Sequence, residues 1–137
     1  MNLSTKALEE ISTIVAEEIG RLIEAEEIKD LQGLENGIRE MLKGVGVQTY
    51  GKVLEKEDRK LGKRVRCECG AKAQRISKRE AKVLSVFGWV SYRRSYYGCS
   101  RCGKKQNRLD KIWDLHPGEV SLVFSVPVYS HGFHLGV

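Results

Sequence analysis

Two short motifs decide how this chain folds: Cys67-Glu68-Cys69-Gly70 and Cys99-Ser100-Arg101-Cys102-Gly103. They hold all four cysteines of the sequence, and the 29 residues between the pairs are enough for a β-hairpin that brings them together. Zinc binds four thiolates at the corners of a tetrahedron, and the glycine after each pair can adopt the positive φ angle of a tight turn. The sequence therefore predicts a zinc ribbon with one structural Zn²⁺. The predicted ligands are Cys67, Cys69, Cys99 and Cys102.

Other uses of the four cysteines carry less weight. Two disulfides or four reduced thiols are the alternatives, but the N-terminus shows no secretory signal and cytosolic proteins rarely carry structural disulfides. Redox chemistry of the thioredoxin kind needs a Cys-x-x-Cys motif followed by the helix of a βαβ unit, which this pattern does not predict. Iron binds the same sulfur ligands and is the alternative metal. We expect a cytoplasmic zinc protein.

Charge is distributed unevenly along the chain. Residues 1–58 contain 7 Lys/Arg and 13 Asp/Glu, a net charge of −6, whereas residues 59–111 contain 17 Lys/Arg and 3 Asp/Glu, a net charge of +14. Residues 112–137 contain two acids and no Lys or Arg. The basic charge is thus concentrated on the predicted zinc module, which favours a polyanionic partner. Since no run of about 18 apolar residues occurs, we expect no membrane span.

The first 60 residues have the pattern of amphipathic helices. Apolar residues recur every three or four positions over residues 4–28, and Ser4 is the expected N-cap. A second stripe follows over residues 30–58, where Asp30 is the expected N-cap. Its glycines weaken the helix, so we predict a break at residues 44–46. A helix–helix core is the simplest interpretation of both stripes, and dimerisation is the alternative.

The region between the cysteine pairs is rich in β-prone residues. We predict a basic linker before Cys67, a short strand over residues 71–76, and a hairpin of two strands over residues 82–87 and 89–97 that turns at Gly88. Alternation along the second hairpin strand places Arg93 and Arg94 on opposite faces. The predicted fold class is α+β, with N-terminal amphipathic helices followed by a small antiparallel β zinc ribbon. The predicted domains are a helical region over 1–60, a zinc-ribbon domain over 61–111 and an irregular tail over 112–137.

The tail lacks the features of the preceding regions. Residues 120–137 contain no charged side chain, and residues 120–126 are β-prone, which is typical of an aggregation-prone segment. His116, His131 and His134 lie in this part of the chain without a cysteine or acidic pair to complete a metal site. We interpret these histidines as incidental.

Residues 67–110 resemble the N-terminal zinc-ribbon region of insertion-sequence transposases of the ISKra and ISLre type. Their sequence is CECGAKAQRISKREAKVLSVFGWVSYRRSYYGCSRCGKKQNRLD. That family's pattern combines a Cys-Gly turn, a basic segment, a hairpin of the form T-x-x-G-x-V-x-x-x-R-x-Y-Y, a C-x-x-C-G knuckle and a short x-L-D. The acidic helices are also similar, so the resemblance covers residues 1–119. The matching positions are Cys67, Cys69, Gly70, Gly88, Val90, Arg94, Tyr96, Tyr97, Cys99, Cys102, Gly103, Leu109 and Asp110.

The resemblance also implies a missing part. Transposases of this kind carry a C-terminal DDE-type nuclease domain whose carboxylates hold divalent metal for phosphoryl transfer. Only Asp114 and Glu119 are acidic after the ribbon, and from residue 121 the sequence loses its charge where a helical domain is expected. We therefore expect a truncated fragment, frameshifted near residue 121, that is not an enzyme and has no strand-transfer activity.

The predicted function is DNA binding, in the parent family at transposon ends, through the basic ribbon. Basic side chains would contact phosphates, and Tyr92, Tyr96 and Tyr97 would stack on unpaired bases. The alternatives are a protein-interaction module, which forms a homodimer or binds full-length transposase through its helices, and a remnant without function. The candidate DNA contacts are Arg75, Lys78, Arg79, Arg93, Arg94, Arg101, Lys104, Lys105 and Arg108.

Overall fold

The computed structural model describes residues 1–118, which form three helices and four strands. The helices are α1 (Thr5–Glu24), α2 (Leu31–Leu61) and α3 (Arg108–Ile112). The strands are β1 (Arg64–Arg66), β2 (Lys72–Ser85), β3 (Gly88–Gly98) and β4 (Lys105–Gln106). They form one antiparallel sheet in the order β1-β2-β3-β4. The predicted α+β class is confirmed.

The first compact unit, Met1–Val45, is a helical hairpin made of α1 and the first part of α2. Both predicted caps are present. The side chain of Ser4 accepts a hydrogen bond from the backbone N–H of Ala7 at 3.1 Å, and Oδ1 of Asp30 accepts one from the N–H of Gly33 at 2.8 Å. These bonds satisfy N–H groups that have no partner within the helix, and they fix where each helix begins.

Helix α2 runs without interruption, so the predicted break at residues 44–46 is wrong. The prediction rested on the cost of glycine in a helix, about 1 kcal/mol relative to alanine. Packing explains why two of these glycines suit the helix. A Cβ atom on Gly46 would lie 2.5 Å from the ring of Phe87, and one on Gly51 would lie 3.0 Å from the carbonyl oxygen of Ser91. Both glycines therefore allow α2 to approach the β-hairpin formed by β2 and β3 closely.

The second compact unit begins at Gly46, within α2, whereas the sequence placed a boundary near residue 60. The reason is that the C-terminal part of α2 belongs to the core of the sheet. Leu54 of α2 packs in one buried cluster with Val83 of β2 and with Val90 and Tyr92 of β3.

The sheet is more continuous than predicted. The short strand and the first hairpin strand are a single strand, β2, whose register shifts between Arg75 and Ser77. Strand β1 occupies part of the predicted basic linker and pairs with β2. The hairpin turn consists of Val86 and Phe87, slightly before the position predicted for it at Gly88. Gly88 is the first residue of β3, has a φ of +125° and pairs with Ser85.

Helix α2 covers one edge of β3. Glu55 accepts a hydrogen bond from the backbone N–H of Arg93 at 3.0 Å, and Asp58 accepts one from the N–H of Ser95 at 2.9 Å. An uncovered strand edge is a template for aggregation. Two carboxylates of α2 thus take the place of a neighbouring strand, and β4 pairs with β3 further along the chain.

The structure describes the tail only as far as Gly118. Leu115 packs against the main core, and the backbone N–H of Gly118 donates a hydrogen bond to the carbonyl oxygen of Lys82 at 2.7 Å. The first residues of the predicted irregular tail are therefore attached to the sheet. The predictions for the uncharged segment, the frameshift, His131 and His134 lie outside the described residues.

Candidate metal centre

Two turns with similar backbone hydrogen bonds hold the four cysteines; we call them the first knuckle (residues 67–71) and the second knuckle (residues 99–104). In the first, the N–H of Gly70 donates to the carbonyl oxygen of Cys67 at 3.0 Å; in the second, the N–H of Gly103 donates to that of Cys99 at 2.8 Å. The φ angles of Gly70 and Gly103 are +93° and +78°. Only glycine adopts such angles readily, which explains the Cys-Gly repeat in the sequence.

The knuckles bring the four sulfur atoms together. All four lie within 4.8 Å of one another, and Cys67 Sγ is 3.5 Å from Cys102 Sγ while Cys69 Sγ is 3.6 Å from Cys99 Sγ. A tetrahedron with metal–sulfur distances of about 2.3 Å has edges of about 3.8 Å. The arrangement therefore fits a four-coordinate metal ion, and the predicted ligands form one cluster. Four sulfurs suit both zinc and iron.

The disulfide alternative does not describe this structure. All four cysteines are free, and the sulfur–sulfur distances of 3.5 Å and 3.6 Å far exceed the bond length of about 2.05 Å in a disulfide. The N–H of Cys102 is the main group that lowers the pKa of Cys99 to about 6, with a further contribution from the N–H of Arg101. Backbone N–H groups that point at a sulfur stabilise its thiolate form, which is the form that binds metal. The N–H of Lys104 acts in the same direction on Cys102, but the neighbouring thiols, Cys67 first, raise the pKa of Cys102 to about 11, so without metal the cluster shares its protons.

A lysine–glutamate cluster joins the two sides of the centre. Glu68 of the first knuckle accepts hydrogen bonds from Lys104 of the second knuckle and from Lys111 of α3, each at 2.7 Å. These two bonds, with that of Lys104 the larger cause, lower the pKa of Glu68 to about 2. Glu68 is therefore an anion at neutral pH that links α3 to both knuckles.

Two of the cysteines belong to a small buried cluster beside the candidate metal site. Cys67 and Cys99 are buried together with Ala73 and Tyr97, and Leu61 packs against them. The hydroxyl of Tyr97 donates a 2.6 Å hydrogen bond to the carbonyl oxygen of Gly62, immediately after α2. The metal centre is thus attached to the end of α2 as well as to the sheet.

His116 is not part of the centre. Its Nε2 lies 3.0 Å from Oδ1 of Asp114, and within residues 1–118 the metal-ligand cluster consists of the four cysteines alone.

One predicted DNA contact requires correction. Arg94 is only 8% exposed, and its Nε donates to Oδ2 of Asp110 at 3.1 Å. The other oxygen of Asp110 accepts from the hydroxyl of Tyr92 at 3.0 Å. The guanidinium of Arg94 also donates hydrogen bonds to the carbonyl oxygens of Arg79 and Glu80. Arg94 therefore fastens α3 to the sheet and is not available to a phosphate.

The other predicted DNA contacts fall into two groups. In the first, Lys78, Arg93, Arg101 and Lys105 are exposed, although the Arg93 guanidinium also donates a 3.4 Å hydrogen bond to the carbonyl oxygen of Lys78. In the second, the side chain has a protein contact or is partly covered: Lys104 is bound to Glu68, Arg79 lies 3.9 Å from the ring centre of Tyr96, and Arg75 and Arg108 are half-buried.

The three tyrosines that were predicted to stack on unpaired bases are buried or half-buried. Tyr92 and Tyr97 are buried, and Tyr96 is half-buried beneath Arg79, so these rings support the fold. The exposed aromatic side chain on β3 is Trp89, at 54% exposure. The signal was present in the sequence, because alternation along β3 places Trp89 on the same face as Arg93.

Comparisons of the chain with protein-family models, with curated proteins and with solved structures found no match. The resemblance to insertion-sequence transposases therefore stays a prediction. Within the described part of the chain, no helix is both long enough and apolar enough to cross a membrane.

Proposed function

We propose that residues 46–118 form a zinc ribbon that binds DNA. The observation that carries the proposal is a surface on the hairpin that we call the open face, formed by Lys78 and Lys82 of β2 and by Trp89 and Arg93 of β3. All four side chains are exposed. Three cations around an exposed indole match a nucleic-acid strand, which offers phosphates and the flat faces of bases.

The register of the sheet places these side chains on one face. Lys78 pairs with Ser95, Lys82 pairs with Ser91, and Arg93 pairs with Glu80, which lies between the two lysines. Directly opposite residues and residues two apart along a strand share a face. Lys78 and Lys82 are four residues apart, so about 13 Å of strand separates them. Strand β2 thus presents two lysines on this face over a length comparable to several nucleotides, with the exposed acid Glu80 between them.

The metal has a structural role in this proposal. Zinc is the metal that we propose, because a tetrahedral site with four thiolates is typical of structural zinc. Four protein ligands leave no open position for water, so the centre supports a binding module and not a hydrolytic enzyme. Its contribution is to fix both knuckles, and through them the two strands that carry the open face.

The proposal predicts a DNA affinity that depends strongly on salt. Each phosphate contact contributes a slope of about −0.9 to a plot of log K against log salt concentration. If Lys78, Lys82 and Arg93 each contact one phosphate, their joint replacement by alanine lowers the steepness of this slope by about 2.7. Trp89→Ala weakens binding to single-stranded DNA more than to duplex, because stacking requires an unpaired base.

The matched control is a triple alanine variant of Lys6, Lys29 and Lys43. These exposed lysines lie in the helical hairpin, and their removal changes the net charge by the same amount. Fluorescence-anisotropy titrations of the zinc-loaded chain over a range of salt concentrations give the slope for each variant. We expect the control to retain the wild-type slope. An equal loss in both triple variants, or no salt-sensitive binding by the wild type, would contradict the proposal.

The resemblance supports a narrower version, in which the DNA is the end of an insertion sequence. Competition between a terminal-repeat duplex from the element that encodes the chain and a shuffled duplex of equal composition tests it. Preference for the terminal repeat supports transposon-end recognition. Equal competition leaves the ribbon as a binder without sequence preference and removes support for the transposase origin.

A further inference from the structure

The helical hairpin has an apolar groove that its own residues do not fill. The groove runs between α1 and α2, has a volume of about 510 Å³ and is lined almost entirely by apolar side chains. Of these, Leu8, Ile11 and Ile23 of α1 and Ile38 and Leu42 of α2 are 37% to 51% exposed.

The core of the hairpin is small in comparison. Its buried residues are Val15, Ile19 and Ile28, with Leu22, Leu34 and Met41 packed around them. A folded segment of only about 40 residues usually requires oligomerisation, a metal or disulfides to be stable. This unit of 45 residues contains none of the four cysteines. Helix α2 continues beyond this unit, and burial of the apolar face of the helical hairpin against a partner would add to its stability.

We propose that the groove binds the same groove of a second copy of this chain, so that two hairpins form a four-helix bundle. Two helices with one shared apolar face are half of such a bundle. A twofold axis through the groove makes the contact self-complementary, because each copy supplies the same surface. This inference is independent of the proposed DNA binding, since neither the metal ligands nor the open face lie in the hairpin.

The exposed apolar area of the groove is close to the apolar area that a dimer interface of standard size buries on each copy. From their exposed fractions, the five groove residues present roughly 450 Å² of accessible, mostly apolar surface on each copy, against about 800 Å² of total surface per partner in an interface of standard size. Homodimer interfaces are about 65% apolar, which corresponds to about 500 Å² of those 800 Å². The groove therefore supplies nearly all of the apolar share, and the polar side chains at its rim supply the rest.

Small residues at the groove allow the second copy to approach closely. Ser12, Ala16 and Gly20 belong to its lining. A Cβ atom on Gly20 would meet nothing within 4 Å, so the space beside this glycine is open to a partner side chain.

The experiment is a measurement of mass in solution, by size-exclusion chromatography with light scattering on the full zinc-loaded chain. We expect twice the chain mass of 15.5 kDa. Ile11→Glu places a charge in the groove of each copy. Because of the twofold symmetry, the interface would bury two charges, and we expect the dimer dissociation constant to rise at least about 100-fold.

Ile14→Glu is the matched control. Ile14 lies on the same helix three residues away, is 63% exposed and is not part of the groove lining. We expect it to leave the dimer intact. Circular dichroism verifies that both variants retain their helices, and Leu42→Glu repeats the test from α2 if Ile11→Glu fails to fold.

Three outcomes would overturn the inference. The first is a wild-type chain that stays monomeric at about 100 µM, far above a micromolar dissociation constant. The second is a species of higher order than the dimer. The third is equal dissociation by Ile11→Glu and Ile14→Glu, which would place the contact outside the groove. Because DNA binding is measured separately by anisotropy, failure of one proposal is distinguishable from failure of the other.

Discussion

The buried ion pair between Arg94 and Asp110 offers the sharpest test of how the ribbon is held together. Their side chains are 10% and 11% exposed, and the two oxygens of Asp110 bind Arg94 and the hydroxyl of Tyr92. Asp110 lies on α3, whereas both partners lie on β3. Asp110→Ala therefore leaves a guanidinium and a phenol without their acceptor in a mostly buried location.

The expected cost follows from these contacts. Removal of one partner from a buried ion pair typically costs about 3–5 kcal/mol, because the other charge stays buried without compensation. Arg94 keeps its hydrogen bonds to the carbonyl oxygens of Arg79 and Glu80, which favours the lower end of this range. The Tyr92 hydroxyl loses one bond, worth about 1 kcal/mol. We expect Asp110→Ala to lower the free energy of unfolding by about 4 kcal/mol.

Urea unfolding of the zinc-loaded chain, followed by tryptophan fluorescence, measures this change. The double variant Arg94→Met, Asp110→Leu replaces the pair with apolar side chains and should recover at least about 2 kcal/mol relative to Asp110→Ala. Glu18→Ala is the exposed control, because Glu18 binds Arg21 on the surface of α1, where ion pairs contribute little.

The reasoning is refuted if Asp110→Ala costs less than about 1 kcal/mol, the value of a single ordinary hydrogen bond. It is equally refuted if the double variant is no more stable than Asp110→Ala. A separate measurement tests the placement of Arg94: the folded double variant should bind DNA with the salt slope of the wild type, because Arg94 lies beneath the surface.

Three further predictions concern other parts of the structure. Chelation of the metal, or replacement of any ligand cysteine by serine, should unfold the ribbon, and metal analysis should find one ion per chain; retention of the sheet signal in circular dichroism after chelation would argue against a structural metal. Gly46→Ala should lower the melting temperature, because its Cβ would lie 2.5 Å from the Phe87 ring, whereas Gly44→Ala, with nothing within 4 Å, should raise it slightly. Burial is the main cause that raises the pKa values of Tyr92 and Tyr97 above the ordinary value of 10.0. The stability that they contribute is therefore present below about pH 10 and is lost as the pH rises further; phenolate absorbance should show two tyrosines that titrate late, and a single titration of all five near pH 10 would contradict it.

The sequence was sufficient wherever the deciding interactions are local. The knuckles depend on cysteines two or three residues apart and on the glycine that follows, so their spacing predicted a cluster that the structure confirms. Both helix caps were predictable for the same reason, because each cap binds an N–H three residues further along the chain. Alternation along β3 also separated the exposed Arg93 from the buried Arg94.

Prediction failed where the partner of a residue is distant in the sequence. Gly46 indicates a helix break when its neighbours alone are considered, but its surroundings include Phe87, 41 residues away. Asp58 has the appearance of a surface acid at the end of a charged helix. In the structure it is 1% exposed and binds both the N–H and the hydroxyl of Ser95. The periodicity of apolar and polar residues along the sequence does not reveal contacts between residues so far apart.

The residues that carry the family resemblance are mainly those that build the fold. Gly88 closes the hairpin turn, Val90 and Leu109 are fully buried, and Arg94 and Asp110 form the buried ion pair. A motif made of such positions specifies a four-cysteine ribbon of this shape, and the same shape can present different surfaces to different partners. The residues that would distinguish a DNA-binding ribbon from one with another partner are those of the open face, and none of them belongs to the motif. Variants of Lys78, Lys82, Trp89 and Arg93 therefore test function without disturbing the fold, whereas variants of the motif test the fold first.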